Sequence, residues 1–353
     1  MFSNAGDRLL SSAFVPGQAG HKERWPAPRF DMIACMSARF LRKISVYTFS
    51  FLLVCPAALP WGNEGHQIVA EIAARKLTLR AQQNIVALLR SDANDDLHLK
   101  AILGASGPPP AGALEKALKT IATWPDNMPG GKGATAPWHF VDIGLFEGPS
   151  HISQRCPQGA CVSQKISDIV QNLKTNKNLG QFTPPKELRF LVHFLGDIHQ
   201  PLHCATNADA GGNCIKEQGY TLDFPELHAV WDTALVDENI SKGPPDTAGA
   251  IIQEFDGKFT VPPANGPNDI AAESFAIAVQ VYQEAKPPIP VINHFVDVTP
   301  SKCATQAPPE INSIVLDARG SYDNPATLKV VRTQLYKGGV RLAGILNSVF
   351  DHP

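Results

Sequence analysis

Residues 190–203 read FLVHFLGDIHQPLH, an apolar stretch that carries three histidines and one aspartate, so any compact fold has to place these ionisable groups in or beside its core. In a helix, His193 and Asp197 are four residues apart and share a face about one turn from each other. Pro201 ends or kinks that helix, so His203 leaves it in a different direction. The segment therefore predicts two adjoining sites, with Asp197 as a bridge between them.

Three further segments combine histidine with carboxylates among apolar neighbours. They are WGNEGHQ with Trp61 and His66, TWPDNMPGGKGATAPWHFVDI with Asp126, His139 and Asp142, and ELHAVWDTAL with His228 and Asp232. Taken singly, each is explained by a buried histidine or an i,i+4 polar pair, and we interpret His199 in this way, as structural. Burying the ionisable groups of all four segments without partners would cost several kcal/mol each. Imidazole and carboxylate are natural zinc ligands, so the segments together predict a metal centre.

The dominant hydrophobic period beyond residue 60 is helical. Apolar residues recur at helical spacing in EGHQIVAEIAARKL, which runs on toward QQNIVALL, and in VSQKISDIVQNLK, KELRFLVHFLGDIH, LHAVWDTALV, NDIAAESFAIAVQVYQEA and TLKVVRTQLYKGGVRLAGILNSV. The alternation typical of strands is scarce. Proline-rich loops separate these segments, and the longest runs from Lys286 to Asn324. We predict an all-α fold, with one domain of about eight helices over residues 61–353. Disulfides and metal ions are expected to tie down its long loops.

The charge of the chain excludes one class of function. A formal net charge of -2 is incompatible with the basic footprint of an electrostatic nucleic-acid binder. Residues 1–60 hold seven Lys and Arg against three Asp and Glu, so the remainder is more acidic still. A phosphate-bearing substrate would therefore have to be attracted by bound cations.

A targeting signal precedes the helical region. Residues 39–60 read RFLRKISVYTFSFLLVCPAALP, with a basic start, an apolar run from Val46 to Val54, and then small residues and proline. This layout is typical of a secretory signal, and the run is too short for a typical membrane span. We predict that residues 1–60 are an extension plus a removable signal, and that the mature protein is secreted or periplasmic. A retained anchor or a buried helix is the alternative.

Five cysteines follow the signal. In an oxidising compartment, the spacings in CPQGAC and CATNADAGGNC predict two local disulfides, Cys156–Cys161 and Cys204–Cys214, with Cys303 left over. A cysteine-ligated zinc site is the alternative, but the pairs are too irregular for the usual C-x2-C arrangement.

The order of the motifs points to a family. The set W-G-x-x-G-H, W-x-D, H-F-V-D, H-F-x-G-D-x-H-Q-P-L-H, G-G-N and L-H-x-x-W-D closely resembles the zinc-dependent, single-strand-specific nucleases of the S1 and P1 type, which are related in fold to bacterial phospholipase C. The resemblance spans Trp61 to about Val236, with a weaker echo in the last helical segment. It implies a mostly α-helical fold that holds three zinc ions in a cleft.

Carried over residue by residue, the resemblance implies three ligand sets. They are Asp126, His139, His193 and Asp197; His203, His228 and Asp232; and His66, the shared Asp197, and the amino nitrogen and carbonyl oxygen of Trp61. The role of Trp61 requires a free α-amine, and hence cleavage between Pro60 and Trp61. Proline fits the small-residue cleavage rule poorly, which favours processing in two steps over an imperfect third site.

The resemblance also assigns substrate contacts. Asp142 is placed to orient the attacking water, and the alternative is a hydrogen bond to a ligand histidine. Phe140 is placed to stack a nucleobase, which selects single strands because duplex bases are not free; core packing is the alternative. Asn213 in GGN would approach the base or the metal loop, and a plain turn is the alternative.

Three features depart from the family pattern. Pro129 stands where the family commonly has an arginine that steadies the phosphate. Lys132 on the Gly-rich loop is the candidate substitute, although a point charge is not a bidentate fork. Ala210 stands where a basic residue is frequent, and the tract from Lys286 to Asn324 is unlike the family.

The expected activity is hydrolysis of single-stranded RNA and DNA to 5′-phosphorylated products by a zinc-activated water, together with 3′-nucleotidase activity on 3′-mononucleotides. We expect a monomer without stable membrane association. The alternatives are a phospholipase C-like activity on lipid head groups, which the fold permits, and a zinc-binding exported protein that has lost catalysis.

Overall fold

A computed structural model describes residues 61–129, 131–175 and 181–351, and the predicted signal at 39–60 lies outside these ranges. The described chain is mainly helical, and eight of its α-helices have nine or more residues. The helices are α1 (Asn63–Ala74), α2 (Leu79–Arg90), α3 (Leu99–Leu103), α4 (Ala113–Ala122), α5 (Val162–Thr175), α6 (Pro184–Asp197), α7 (Leu227–Ala229), α8 (Leu235–Asn239), α9 (Thr247–Phe255), α10 (Pro267–Gln283), α11 (Cys303–Gln306), α12 (Pro309–Asn312), α13 (Ala318–Tyr322) and α14 (Pro325–Phe350).

Short elements connect these helices. Short 3-10 helices lie at Gly133–His139, Pro149–Arg155, Pro157–Gly159, Pro201–Cys204 and Pro300–Lys302, and a π-helical turn lies at Val230–Ala234. The strands β1 (Lys216–Gln218) and β2 (Val315–Asp317) pair in parallel, with Lys216 opposite Val315. The predicted all-α class is thus confirmed, with one small sheet. In the described ranges, every helix falls short of the length or the apolar character that crossing a membrane requires.

Helix α1 lies at the centre of the fold, against α14 and α4. Two glycines of α14 permit the close approach of its backbone to α1. A Cβ atom at Gly339 would lie 2.5 Å from Cβ of Ile72 and 3.1 Å from the carbonyl oxygen of Val69. The Gly-Gly pair in the last helical segment therefore fixes the position of α1, whose first turns carry His66.

Local signals set where the main helices begin. Helix α6 begins at two prolines, Pro184 and Pro185, which suit the first turn because its N–H groups have no helical partner. Helix α14 also begins at a proline, and the side chain of Asn324 accepts a hydrogen bond from Thr327 N at 3.0 Å. All residues of α6 from Glu187 to Asp197 are buried, so this helix brings its histidine and aspartate into the interior.

One disulfide prediction was right and the other was wrong. Cys156 and Cys161 are bonded as predicted, but Cys214 pairs with Cys303, 89 residues further along the chain. Cys204 is a buried free thiol whose Sγ lies 3.6 Å from the carbonyl oxygen of Ile198. Sequence spacing reports only the entropy of closing a loop, whereas a disulfide also needs Cβ atoms that point at each other. Cys204 ends a 3-10 turn packed against α10, so its side chain is held in the core.

Candidate metal centre

The predicted ligands at the end of α6 lie in the interior of the protein. His193 and Asp197 are both fully buried, one turn apart on α6. The chain leaves the helix and enters the 3-10 turn Pro201–Cys204, which directs His203 back toward His139, where its Nδ1 donates to the carbonyl oxygen of His139 at 2.8 Å. The change of direction expected at Pro201 therefore occurs, and Asp197 lies between two groups of histidines.

The first group joins α6 to the segment 126–139. Nδ1 of His139 lies 3.1 Å from Nε2 of His193 and 3.0 Å from Oδ2 of Asp197, and Oδ1 of Asp126 lies 3.6 Å and 3.4 Å from the same two nitrogens. Donors at the corners of a tetrahedron about 2.0–2.1 Å from a zinc ion are roughly 3.3–3.5 Å apart. The four donor atoms thus have the spacing of a zinc ligand set.

The second group combines His203 with the π-helical turn Val230–Ala234. Nε2 of His228 lies 3.1 Å from Oδ2 of Asp232, and Nε2 of His203 lies 3.7 Å from its Oδ1. Gln200 positions this carboxylate, since its amide nitrogen donates to Oδ1 of Asp232 and its Oε1 accepts from Leu202 N. One donor atom from each of the two histidines and the aspartate fits within 4.8 Å of the others.

The third group lies at the start of α1. Nε2 of His66 lies 3.3 Å from Oδ1 of Asp197, and the imidazole rings of His66 and His193 stack with centroids 3.9 Å apart. A Cβ atom at position 196 would lie 2.5 Å from Nδ1 of His66, so the glycine of the G-D pair provides the space for this ring. Trp61 is buried, and Gly62 N donates to the carbonyl oxygen of Asp232 at 2.6 Å. The participation of the Trp61 amine stays a prediction.

Hydrogen bonds to backbone carbonyls orient the ligand histidines. Nδ1 of His193 donates to Ala122 at 2.7 Å, and Nδ1 of His228 donates to Gly211 at 2.6 Å. Because Nδ1 carries the proton in both rings, Nε2 is left as an acceptor facing the cluster. Nε2 of His203 is buried and forms no hydrogen bond within the ranges that the structure describes. A cation would satisfy such inward-facing lone pairs.

The charges of the site also fit a metal. Burial, followed by the charge of nearby Lys132, lowers the pKa of His139 to about 4, so its imidazole is neutral near pH 7. Burial alone would raise the pKa of Asp197, but His193 and His139 outweigh it and hold that pKa well below its usual range. A neutral imidazole beside an ionised carboxylate, as in His139 and Asp197, is the combination of protonation states that zinc binds.

A cleft of about 570 Å³ opens beside the second group. Its lining includes His139, His203 and His228 together with all four residues that the motifs assigned to water orientation or substrate, namely Asp142, Phe140, Asn213 and Lys132. Phe140 is 37% exposed, so ordinary core packing does not describe it. The candidate substrate contacts and three of the candidate metal ligands thus share one cavity.

Two of these residues make contacts that the sequence did not indicate. Nζ of Lys132 lies 2.6 Å from Oδ1 of Asp126, so this lysine is paired with a candidate ligand rather than mobile on its loop. The amide nitrogen of Asn213 donates to the carbonyl oxygen of Ala210 at 2.6 Å. Ala210 has a φ of 54°, in the left-handed region. A basic residue at this position would have the same backbone strain as the alanine.

Asp142 is half-buried in the cleft. Burial first, and then the nearby carboxylates Asp209 and Asp297, raise its pKa to about 7. His228 and Arg155 act in the opposite direction and lower this pKa. An acid with such a pKa exchanges its proton near neutrality, which is the property required of a group that handles water.

His199 makes contacts that fit its structural interpretation. Its Nδ1 donates to the carbonyl oxygen of Leu195 at 2.7 Å, and its Nε2 accepts from Nη1 of Arg341 at 3.1 Å. Both ring nitrogens are therefore engaged with residues that are not candidate ligands.

Sequence reasoning missed four contributors to the site. Gly196 and Gln200 stand inside the quoted H-F-x-G-D-x-H-Q-P-L-H motif, and their motif positions were the available signal. Arg155 and Phe295 line the cleft far from any motif, and no signal in the sequence marked them.

Comparison with known proteins agrees with this geometry. The model of one family, described as S1/P1 Nuclease, matches residues 61–351. The chain belongs to the S1/P1 nuclease family. Its relatives include Endonuclease 3 of Arabidopsis thaliana, 28% identical with 83% of this chain and 90% of the relative covered, and Nuclease P1 of Penicillium citrinum, 25% identical with 82% and 97% covered. Nuclease S1 of Aspergillus oryzae is 30% identical, with 50% of this chain and 55% of the relative covered.

Membership of the S1/P1 nuclease family confirms the predicted resemblance and the phospholipase C-like fold type. It also makes the protein a nuclease that acts on nucleic acid. The three groups of histidine and carboxylate ligands agree with a metal-dependent nuclease.

Proposed function

We propose that this S1/P1 nuclease is an exported zinc enzyme that hydrolyses single-stranded RNA and DNA to 5′-phosphorylated products and also acts as a 3′-nucleotidase. The observation that carries the proposal is the convergence of three buried ligand groups beside one cleft that also contains Phe140 and Asp142. The proposed ligands are Trp61, His66, Asp126, His139, His193, Asp197, His203, His228 and Asp232. Two disulfides, which persist in oxidising compartments, support the export predicted from residues 39–60.

Zinc bound by these ligands would supply an activated water and Lewis-acid stabilisation of the phosphate oxygens. The side chains of the protein would position the ions and bind the phosphate. Asp197 links the groups of His66 and His139 to the group of His203, so one carboxylate sets the spacing of the centre. Lys132 adds a positive charge beside Asp126, where it would neutralise part of the charge of the reacting phosphate.

Asp142 is proposed to hold the attacking water and accept its proton. The pKa of about 7 means that its carboxylate form is lost as the pH falls through neutrality in the metal-free protein. A rate that depends on this carboxylate therefore decreases as the pH falls below the pKa of Asp142. A nearby cation lowers that pKa, so the decrease then occurs at lower pH.

Three substrates test this function. Zinc-loaded protein is incubated with single-stranded DNA, a 3′-mononucleotide and phosphatidylcholine, with and without chelator. We expect chelator-sensitive turnover of the first two. Asp142→Asn should lower turnover by about 100-fold or more, as for general acid–base residues, without loss of bound zinc. Asp168→Asn, at an exposed carboxylate paired with Lys165, is the control. Full activity of Asp142→Asn would exclude its role, phosphatidylcholine hydrolysis would favour the phospholipase alternative, and absence of all turnover would refute the enzyme.

Phe140 is proposed to stack a nucleobase and so to select single strands. Its ring is 37% exposed in the cleft, whereas Phe146, 41% exposed, is outside the cleft lining. Stacking of a base on an aromatic ring contributes about 1–3 kcal/mol, so Phe140→Ala should lower kcat/KM for single strands by about 5- to 100-fold. Phe146→Ala is the matched control. Equal effects of the two substitutions would contradict the stacking role.

A further inference from the structure

The tract from Lys286 to Asn324 forms part of the substrate cleft. Phe295, Asp297, Val298, Thr299 and Pro300 all contribute to its lining. The tract is firmly attached to the body of the protein. The Asn207 side chain donates to the carbonyl oxygen of Pro290 at 2.8 Å and accepts from Ile292 N at 2.9 Å. The Cys214–Cys303 disulfide and the β1–β2 pairing provide two further attachments.

Arg155 is held against this tract in a fixed orientation. Its guanidinium carbon lies 3.3 Å from the centroid of the Phe295 ring, so the cation stacks on an aromatic face. Its Nε donates to Oε2 of Glu147 at 2.8 Å, and its Nη2 donates to Oε1 of the same carboxylate. Nη1 forms no hydrogen bond to any residue of the described ranges. Because Glu147 holds one edge of the guanidinium and Phe295 covers one face, Nη1 is already oriented before a ligand binds. Binding through Nη1 would therefore cost little conformational entropy.

Lys132 and Arg155 are the only lysine or arginine side chains in the lining of the cleft that the structure describes. Lys132 lies beside Asp126, a candidate metal ligand, so it would serve the phosphate at the proposed metal centre. Arg155 is held by Glu147 and Phe295 instead, and it forms no hydrogen bond or ion pair with a candidate metal ligand in the described residues. The two cations therefore mark two places for phosphate groups, and the second place has no counterpart in the motifs of the chain.

We propose that Arg155, supported by Phe295 and Glu147, binds the phosphate next to the scissile one and so makes the enzyme prefer chains with at least two phosphodiesters. This inference rests on the proposed nuclease function. A charged Nη1–H donor matches a phosphate oxygen. A stacked base is the less favoured occupant because one face of the guanidinium is already covered by Phe295.

Kinetics on two short substrates test the proposal with the zinc-loaded enzyme. A dinucleotide has one phosphodiester and a trinucleotide of the same base has two. The assay is run well above the pKa of about 7 of Asp142, so that loss of the Arg155 charge does not change the ionisation of that carboxyl. Arg155→Gln is then expected to lower kcat/KM about tenfold for the trinucleotide, at the low end for a charge-assisted hydrogen bond, and to leave the dinucleotide within about twofold. The slope of log kcat/KM against log salt for the trinucleotide should become shallower by about 0.7, the value for one contact with a single strand.

Arg332→Gln is the matched control. Arg332 is also partly buried and also pairs through Nε with a glutamate, Glu254, at 2.8 Å, but it lies on α14 outside the cleft lining. We expect no change with either substrate.

Two further variants separate binding from folding. Arg155→Lys keeps the positive charge but loses the planar guanidinium. Its kcat/KM for the trinucleotide should therefore lie between those of Arg155→Gln and the wild type. Phe295→Leu keeps Arg155 and removes its platform, so it should give a smaller loss that is again confined to the trinucleotide.

The possible failures have different signatures. Equal losses on both substrates would place Arg155 at the scissile phosphate and overturn the proposal. An unchanged trinucleotide rate would show that Glu147 neutralises Arg155, and would overturn it as well. A purified wild-type protein that cleaves neither substrate would refute the proposed function and this inference with it. A loss in Arg155→Gln that follows the base rather than the number of phosphates would identify a base-stacking site instead.

Discussion

Adding one methyl group at Gly339 of α14 tests the central packing of the fold. The new Cβ would lie 2.5 Å from Cβ of Ile72 and 3.1 Å from the carbonyl oxygen of Val69, both on α1. A branched side chain and a backbone atom cannot move aside cheaply, and overpacking of a core typically costs about 1–3 kcal/mol or more. Alanine in a helix interior gains about 1 kcal/mol over glycine. With a clash cost of about 3 kcal/mol, the upper end of that range, less the helix gain of about 1 kcal/mol, we expect Gly339→Ala to lower the free energy of unfolding by about 2 kcal/mol.

Gly344, on the same helix, provides the matched control. No atom of the described residues lies within 4 Å of a Cβ built there, and the position is exposed. Gly344→Ala should therefore raise the stability by about 1 kcal/mol through helix propensity alone. The assay is denaturant unfolding followed by circular dichroism at equal zinc concentration. If Gly339→Ala were as stable as Gly344→Ala, helices α1 and α14 would not be in contact at this glycine.

Three further outcomes are expected. Cys303→Ala should lower the free energy of unfolding by about 4–5 kcal/mol, because the broken disulfide spans 89 residues. Cys204→Ala at the free thiol should lower it by about 1 kcal/mol. Peptide mapping checks the pairing, and denaturant unfolding checks both free energies. Burial first, and then Arg341, lower the pKa of His199 to about 3 in the native state. Between pH 6.5 and pH 3 the unfolded chain therefore binds a proton at His199 that the native state does not bind. Stability should fall as the pH drops from about 6.5 to 3, and His199→Gln should remove about 2 kcal/mol of the difference between pH 7 and pH 5. Chelation should lower the unfolding free energy by about 4 kcal/mol for each zinc ion removed when zinc was present at about 1,000 times its Kd, and calorimetry after zinc is restored checks reversibility.

The helical architecture was predictable because a 3.6-residue hydrophobic period is a local property. The segments around α1, α5, α6, α10 and α14 all carry that period, and all are helices. The same locality made His193 with Asp197, and His228 with Asp232, recognisable as pairs on one face. Their convergence from separate elements depends on tertiary packing, so it was predicted only through the resemblance to the family.

Features that depend on long-range direction were not predictable. The spacing of Cys204 and Cys214 favoured a local pair, yet the pairing is decided by which way each Cβ points in the fold. The turn Val230–Ala234 is π-helical, which no local pattern indicated. Arg155 and Phe295 lie 140 residues apart and meet only because the proline-rich tract returns to the cleft.

The way residues 286–324 are attached separates the preference for oligonucleotide length from the affinity for zinc. The candidate ligands all belong to residues 61–232, whereas the Phe295 platform belongs to a later segment. That segment is joined to the body by the Cys214–Cys303 disulfide, the β1–β2 ladder and two hydrogen bonds of the Asn207 side chain. Exchanging residues 286–324 between relatives should therefore alter the preferred oligonucleotide length while the affinity for zinc stays the same. Substrate length and metal binding would then be set by different parts of the chain.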